Sequence, residues 1–300
     1  MCVARSSRPE SVSWVLLALV CALSLALADT ASKKWLAQAP ADTLTLIRSG
    51  LPGVLLLPAL FWIDFTDLPP TFWAWVLAAM PLEILAMALY TRAIQTSPLS
   101  QTLPYMAFTP VFTILTGWVL LGETVSARGL AGILLVALGA WGLNLEHAGW
   151  HPRTWLLPFR AMLVQRGARL MLTVAAIYAV TAALGKGAVG YMSGAAFGAL
   201  YFIVLGLCAF LYYAVRAPTA VRGALTAGRY AWLVAALLAF MVITHFLALA
   251  QAATAYMIAV KRTSVLFGIL LGGWVFREAR LTQHLGSALL MVAGVTLIVG

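Results

Sequence analysis

Apolar runs of about 20 residues, the length that spans a bilayer, follow one another along almost the whole chain. Hydrophobic side chains fall on every face of each run. In lipid, a segment of this kind satisfies its backbone polar groups by forming a helix. Strands of a membrane barrel would alternate apolar and polar residues, and these runs do not. The rest of the composition agrees: 63% of the 300 residues are hydrophobic, 9% are charged, and mean hydropathy is +0.97. A soluble domain carries about 25% charged residues to cover its surface. The sequence therefore predicts an all-α integral membrane protein with about ten transmembrane helices.

The predicted helices cover residues 12–33, 42–62, 70–93, 98–121 and 126–146, then 168–188, 190–214, 229–250, 254–276 and 281–299. Trp14, Trp62, Trp73, Trp75, Trp141, Trp232 and Trp274 fall near their ends, where indole rings favour the interface. Residues 1–30 imitate a secretory signal, with Arg5 and Arg8, an apolar core and "ALA" before Asp29. The repeat described next gives the first helix a counterpart in the second half, which favours its retention. Residues 148–167 form a connector of mixed Arg, Trp, Leu and Phe, a basic amphipathic stretch suited to the membrane surface or to joining two halves.

"LLGETVSARGLAGILLVALGAWGL" (120–143) and "VFREARLTQHLGSALLMVAGVTLI" (275–298) align without a gap. Glu123 meets Glu278, Leu130 meets Leu285 and Gly139 meets Gly294, each 155 residues apart. The register extends back through Gly117 with Gly272 and Ala93 with Ala248. Residues 1–147 and 168–300 are thus read as two repeats of five helices. An odd number of helices makes the second copy enter the membrane from the opposite side, giving an inverted pair with a mid-membrane site between the halves. Gly190, Gly194 and Gly198 recur every four residues and are read as a close-packing stripe on the seventh helix.

The net charge of +10, with pI near 10.0, belongs to the loops, where Lys and Arg set orientation and meet anionic lipid. No nucleic-acid motif accompanies it. Cys2, Cys21 and Cys208 lack the spacing of a metal site or disulfide framework. The sequence contains no Walker-type glycine loop, metal-ligand cluster or nucleophile elbow, so it implies no cofactor, no metal and no enzyme chemistry.

An ionisable group within a span is costly and marks function by default. Lys261 and Arg262 lie two turns into the ninth predicted helix, "AYMIAVKRTSVLFGILLGGWVF". They form an anion site if the helix lines a wet cavity, or interface anchors if they snorkel. The aligned first-half residues are Met106 and Ala107, so packing symmetry does not account for the cations. Glu83, two residues after Pro81, is a candidate proton-coupling group, because a carboxyl withdrawn from water can exchange a proton near neutral pH. The other reading pairs it with Arg48. His245 is a candidate proton relay or substrate ligand, or a packed histidine. Glu123 and Glu278 read as helix caps, and Asp29, Asp64 and Asp67 as loop residues.

The repeat, "GE" at 122–123 followed by "GLAGILLVALG", and "KRTSVLFGILLGGWVFREARLTQHLGSALLMVAGV" in the second copy resemble the EamA-type drug/metabolite transporters. The second copy resembles the family's C-terminal repeat more closely, although Arg277 stands before Glu278 where the first copy has Gly122. The resemblance implies a secondary carrier of small metabolites in the cytoplasmic membrane, working by alternating access, with a small polar and possibly anionic substrate, lipids as surroundings and no nucleic-acid partner. It also implies a substrate role for Lys186, since similar carriers often have a lysine at the end of the sixth helix; snorkelling is the rival reading. A lipid-linked flippase of the same fold is one alternative, and a non-transporting membrane enzyme or sensor subunit another. The distribution of loop Lys and Arg places both termini outside, whereas the resemblance implies both in the cytoplasm.

Overall fold

The computed structural model describes residues 13–96, 103–145, 165–276 and 285–300. The basic leader around Arg5 and Arg8, nearly all of the 148–167 connector, and Arg277, Glu278 and Arg280 lie outside the described residues. Among the described residues every regular element is helical. Seven helices are long and apolar enough to cross a membrane: Ser13–Trp35, Ala41–Trp62, Pro70–Ile94, Arg166–Val189, Gly194–Arg216, Arg229–Gln251 and Thr254–Gly272. Three shorter apolar helices accompany them, Tyr105–Leu121, Ala127–Gly142 and Gly286–Val299.

In chain order these are α1 (Ser13–Trp35), α2 (Ala41–Ser49), α3 (Leu51–Leu56), α4 (Pro70–Thr96), α5 (Thr109–Leu121) and α6 (Ala127–Leu145). The second half contains α7 (Arg166–Val189), α8 (Gly194–Arg216), α9 (Pro218–Leu225), α10 (Arg229–Gln251), α11 (Thr254–Lys261), α12 (Ser264–Phe276) and α13 (Leu285–Val299).

Three predicted spans are interrupted. The second is divided into α2, α3 and a 3-10 segment, Leu57–Trp62, because Pro52 and Pro58 withdraw backbone donors from the ladder. The fourth begins with a 3-10 turn, Leu103–Phe108, before α5. The ninth breaks between α11 and α12, at Lys261 and Arg262. The last two interruptions are in register: α5 starts at Thr109 and α12 at Ser264, 155 residues apart. α4 runs through Pro81 as one helix.

The most extensive packing joins α4 to α7, α1 to α10, and α6 to α13, so helices of the first half seat against helices of the second. A core of buried residues including Trp14, Phe72, Phe197, Leu205 and Leu249 fills the space between them. Trp62 and Trp274 are exposed, as interface rings would be, but Trp14 is buried and acts as packing. Lipid offers no hydrophobic drive for helix association, so close contact depends on small residues. The glycine stripe needs correction on this point. Gly190 lies in the turn before α8 with open space beside it, while Gly194 and Gly198 bring α8 against the Phe246 and Val242 carbonyls of α10. Gly132 and Gly294 do the same for α6 and α13, each facing the other's carbonyl oxygen.

Gly132→Val would drive a side chain into the α13 backbone and should cost about 1–3 kcal/mol, the range for overpacking. Thermal unfolding in detergent should show a lower Tm for this variant. Gly268→Ala, in open space on α12, should leave Tm unchanged.

Candidate functional site

The break between α11 and α12 builds the site. The Arg262 amide is shared between the Ile258 and Ala259 carbonyls, at 3.2 and 3.1 Å, which tightens the last turn of α11. The Thr263 hydroxyl then bonds back to the Val260 carbonyl at 2.8 Å, and Ser264 starts the next helix. Two cations therefore stand at the C-terminal end of a half-helix, where the helix dipole favours positive charge.

The two side chains differ in their commitments. Lys261 Nζ donates to His245 Nδ1 of α10 at 3.2 Å, and both residues lie inside the bundle. An ammonium has only donors, so Nδ1 accepts and the ring's proton sits on Nε2. Arg262 is 6% exposed, and its Nε is buried without a hydrogen-bond partner. Its electrostatic neighbours are Tyr90, Tyr178, Cys21 and Asp29.

Glu83 faces the same interior from α4. Tyr201 of α8 donates its hydroxyl to Glu83 Oε1 at 3.2 Å, and the Thr181 hydroxyl of α7 also bonds it. Tyr201 continues into an aromatic wall with Phe246 and His245, ring centroids 5.2 and 4.8 Å apart along the chain of contacts. Glu83 and Lys261 both keep partial exposure although their immediate partners Tyr201, Thr181 and His245 are buried. This is the signature of an interior polar chamber.

Arg48 does not pair with Glu83. It pairs with Asp29 of α1 at 2.7 Å, donates to Ser32 Oγ at 3.1 Å and lies over the Tyr90 ring. Tyr90 in turn donates to the other Asp29 oxygen at 3.3 Å. Asp29 is consequently a buried helical partner rather than a loop residue. It lies on α1 because a helix through 13–35 carries it into the bundle, where Arg48 offsets its charge.

Lys186 stands apart from this group. Its ammonium donates to the carbonyls of Leu249, Ala250 and Ala252 at 2.6, 3.4 and 2.9 Å, closing the C-terminus of α10. Glu123 works beside it as a cap, accepting from the Thr254 amide at the start of α11 at 2.9 Å. Asp64 accepts from the Thr66 amide and hydroxyl in an exposed turn, and these bonds hold its carboxyl below the usual carboxylate range. The structure thus gathers Lys261, Arg262, His245 and Glu83, places Arg48 in a neighbouring ion pair and leaves Lys186 at a helix end. Sequence reasoning missed Asp29, Tyr90, Tyr178, Thr181 and Tyr201. For Asp29 the signal was present, as a charge inside an apolar run; neutral hydroxyls carry no comparable mark. No group of three or more metal-ligating side chains occurs among the described residues.

Arg48→Leu strands the Asp29 charge and should cost about 3–5 kcal/mol, as for breaking a buried pair from one side. The double variant Arg48→Leu/Asp29→Leu should recover most of the lost Tm in detergent.

Comparison with known proteins places this geometry. No curated protein matches the chain. A solved structure described as "Crystal structure of protein" superposes with a TM-score of 0.70 at 16% identity, covering 97% of this chain and 96% of its own, and so shares the fold. The EamA-like transporter family model matches residues 12–145; the second copy lies outside the matched range. The chain is a multi-pass membrane protein whose first half, residues 12–145, belongs to the EamA-like transporter family.

Proposed function

We propose that the protein is a secondary carrier that moves a small polar metabolite, with an anionic group, across the cytoplasmic membrane by alternating access. Substrate binds between two inverted five-helix repeats, against Lys261 and Arg262, and the repeats rock to expose it to either side. Glu83 is the proton-coupling group. The observation that carries this reading is Arg262: a guanidinium 6% exposed, within a span, with an unpartnered Nε and no carboxylate in contact among the described residues. A charge kept there at such cost is explained by a ligand that completes it.

The repeat architecture draws support from register and packing. Interrupted helices in corresponding positions of two halves are the usual pointer to a carrier's site, and here the interruptions lie 155 residues apart. The pairings α1 with α10 and α4 with α7 exchange the first and third helices of the two repeats, as a two-fold axis in the membrane plane would require. Lys186 and Glu123 contribute by closing helix ends around the chamber.

Untargeted metabolite profiling of deletion and overexpression strains tests the carrier reading and identifies the substrate. Opposite changes in one polar metabolite are expected, and Lys261→Leu/Arg262→Leu should abolish them while the protein still folds. Wild-type transport by that double variant would make the cations interface anchors. In proteoliposomes, Glu83→Gln should bind the metabolite yet lose pH-driven uptake.

A further inference from the structure

Charge is divided unequally between the two halves of the chain. Eight of the nine acidic residues precede residue 148, and twelve of the nineteen lysines and arginines follow it. From 148 to 300 the single acidic residue is Glu278. The chamber inherits this division: its carboxyls, Asp29 and Glu83, come from α1 and α4, and its free cations, Lys261 and Arg262, from the break after α11.

The two carboxyls are not equivalent. Asp29 is neutralised in contact by Arg48, on α2, two turns along α4 from Glu83 and beside Tyr90. Glu83 has neutral neighbours only: Tyr201 from α8, Thr181 and Tyr178 from α7. Its one cationic neighbour is Lys261, which acts on it through space with no contact ion pair joining them. Lys261 is itself bonded to a neutral ring, His245, and has Arg262 as a like-charged neighbour. In the empty chamber, Lys261 and Glu83 thus balance each other across a gap.

We infer that an entering anion and the Glu83 carboxylate compete for Lys261, so that the anion binds together with a proton taken up by Glu83. The inference rests on the carrier reading and specifies its coupling. When the anion takes Lys261, the Glu83 carboxylate loses its balancing charge in a medium that penalises uncompensated ions. A proton from the open aqueous side converts it to a neutral carboxylic acid. One anion and one proton enter together, and the chamber's net charge is unchanged. By linkage, the proton favours the anion as much as the anion favours the proton. The two therefore travel in the same direction, as co-transport rather than exchange.

The test uses the full chain in nanodiscs at neutral pH, with infrared spectroscopy of the protonated-carboxyl stretch. His245→Glu sets a carboxylate where Nδ1 now meets Lys261 and stands in for a bound anion; His245→Gln sets a neutral acceptor there. His245→Glu should gain a protonated-carboxyl band over His245→Gln, and the gain should vanish in His245→Glu/Glu83→Gln. No gain, or a gain that survives Glu83→Gln, overturns the inference. Lys261→Met removes the cation outright and should give the same Glu83-dependent gain, so it decides the matter if the glutamate variant does not fold. Neither measurement involves transport. A protein that carries substrate while Glu83 keeps its charge retains the carrier reading and loses the coupling; one that protonates Glu83 as described yet moves nothing loses the carrier reading.

Discussion

Placing a cation in the middle of a bilayer is the constraint on which the rest of this structure depends. Lys261 and Arg262 cannot face lipid, and helical geometry does not let them reach the interface from the end of α11 without leaving the bundle. The helix yields instead. Its ladder tightens and restarts at Ser264, and the side chains turn inward among hydroxyls, a histidine and two carboxyls. A break in a span is tolerated where it lines a polar cavity. The cations and the break therefore require each other.

The surrounding structure supports that arrangement from both ends. Lys186 and Glu123 satisfy the backbone groups where α10 stops and α11 starts, which fixes the approach of the half-helix. Glycines at the α6–α13 and α8–α10 contacts let backbones meet closely enough to seal the bundle. Inside, the hydroxyls of Tyr201 and Thr181 hold Glu83 in place without neutralising it, while Arg48 removes Asp29 from the competition for the free cations. Polar groups in the chamber thus fall into a committed set and an available set.

Much of this was legible in the sequence, for physical reasons that can be named. Helical membrane segments announce themselves through uniform apolarity, and the 155-residue register was visible because both copies keep the same Glu, Leu and Gly positions. Lys261, Arg262, His245 and Glu83 stood out as rare polar groups in apolar runs. The interruption at residue 262 was not foreseen, because no proline marks it; Thr263, bonding back to the backbone, does that work. Arg48 was matched to the wrong acid because a linear reading ranks partners by helix order, whereas α1 and α2 bring Asp29 within 2.7 Å. Lys186 was assigned to the substrate by resemblance, and the carbonyls of α10 claim it instead.

The central claim is that Lys261 faces water in the middle of the membrane, between the two halves. In a background with Cys2, Cys21 and Cys208 replaced, Lys261→Cys can be offered a charged, membrane-impermeant thiol reagent, with Leu270→Cys, exposed on the outer face of α12, as the lipid-facing control. A thiol in a wet chamber ionises and reacts, whereas one in lipid does not. The account predicts labelling at 261 and none at 270. A folded protein in which position 261 is as inert as position 270 would contradict it.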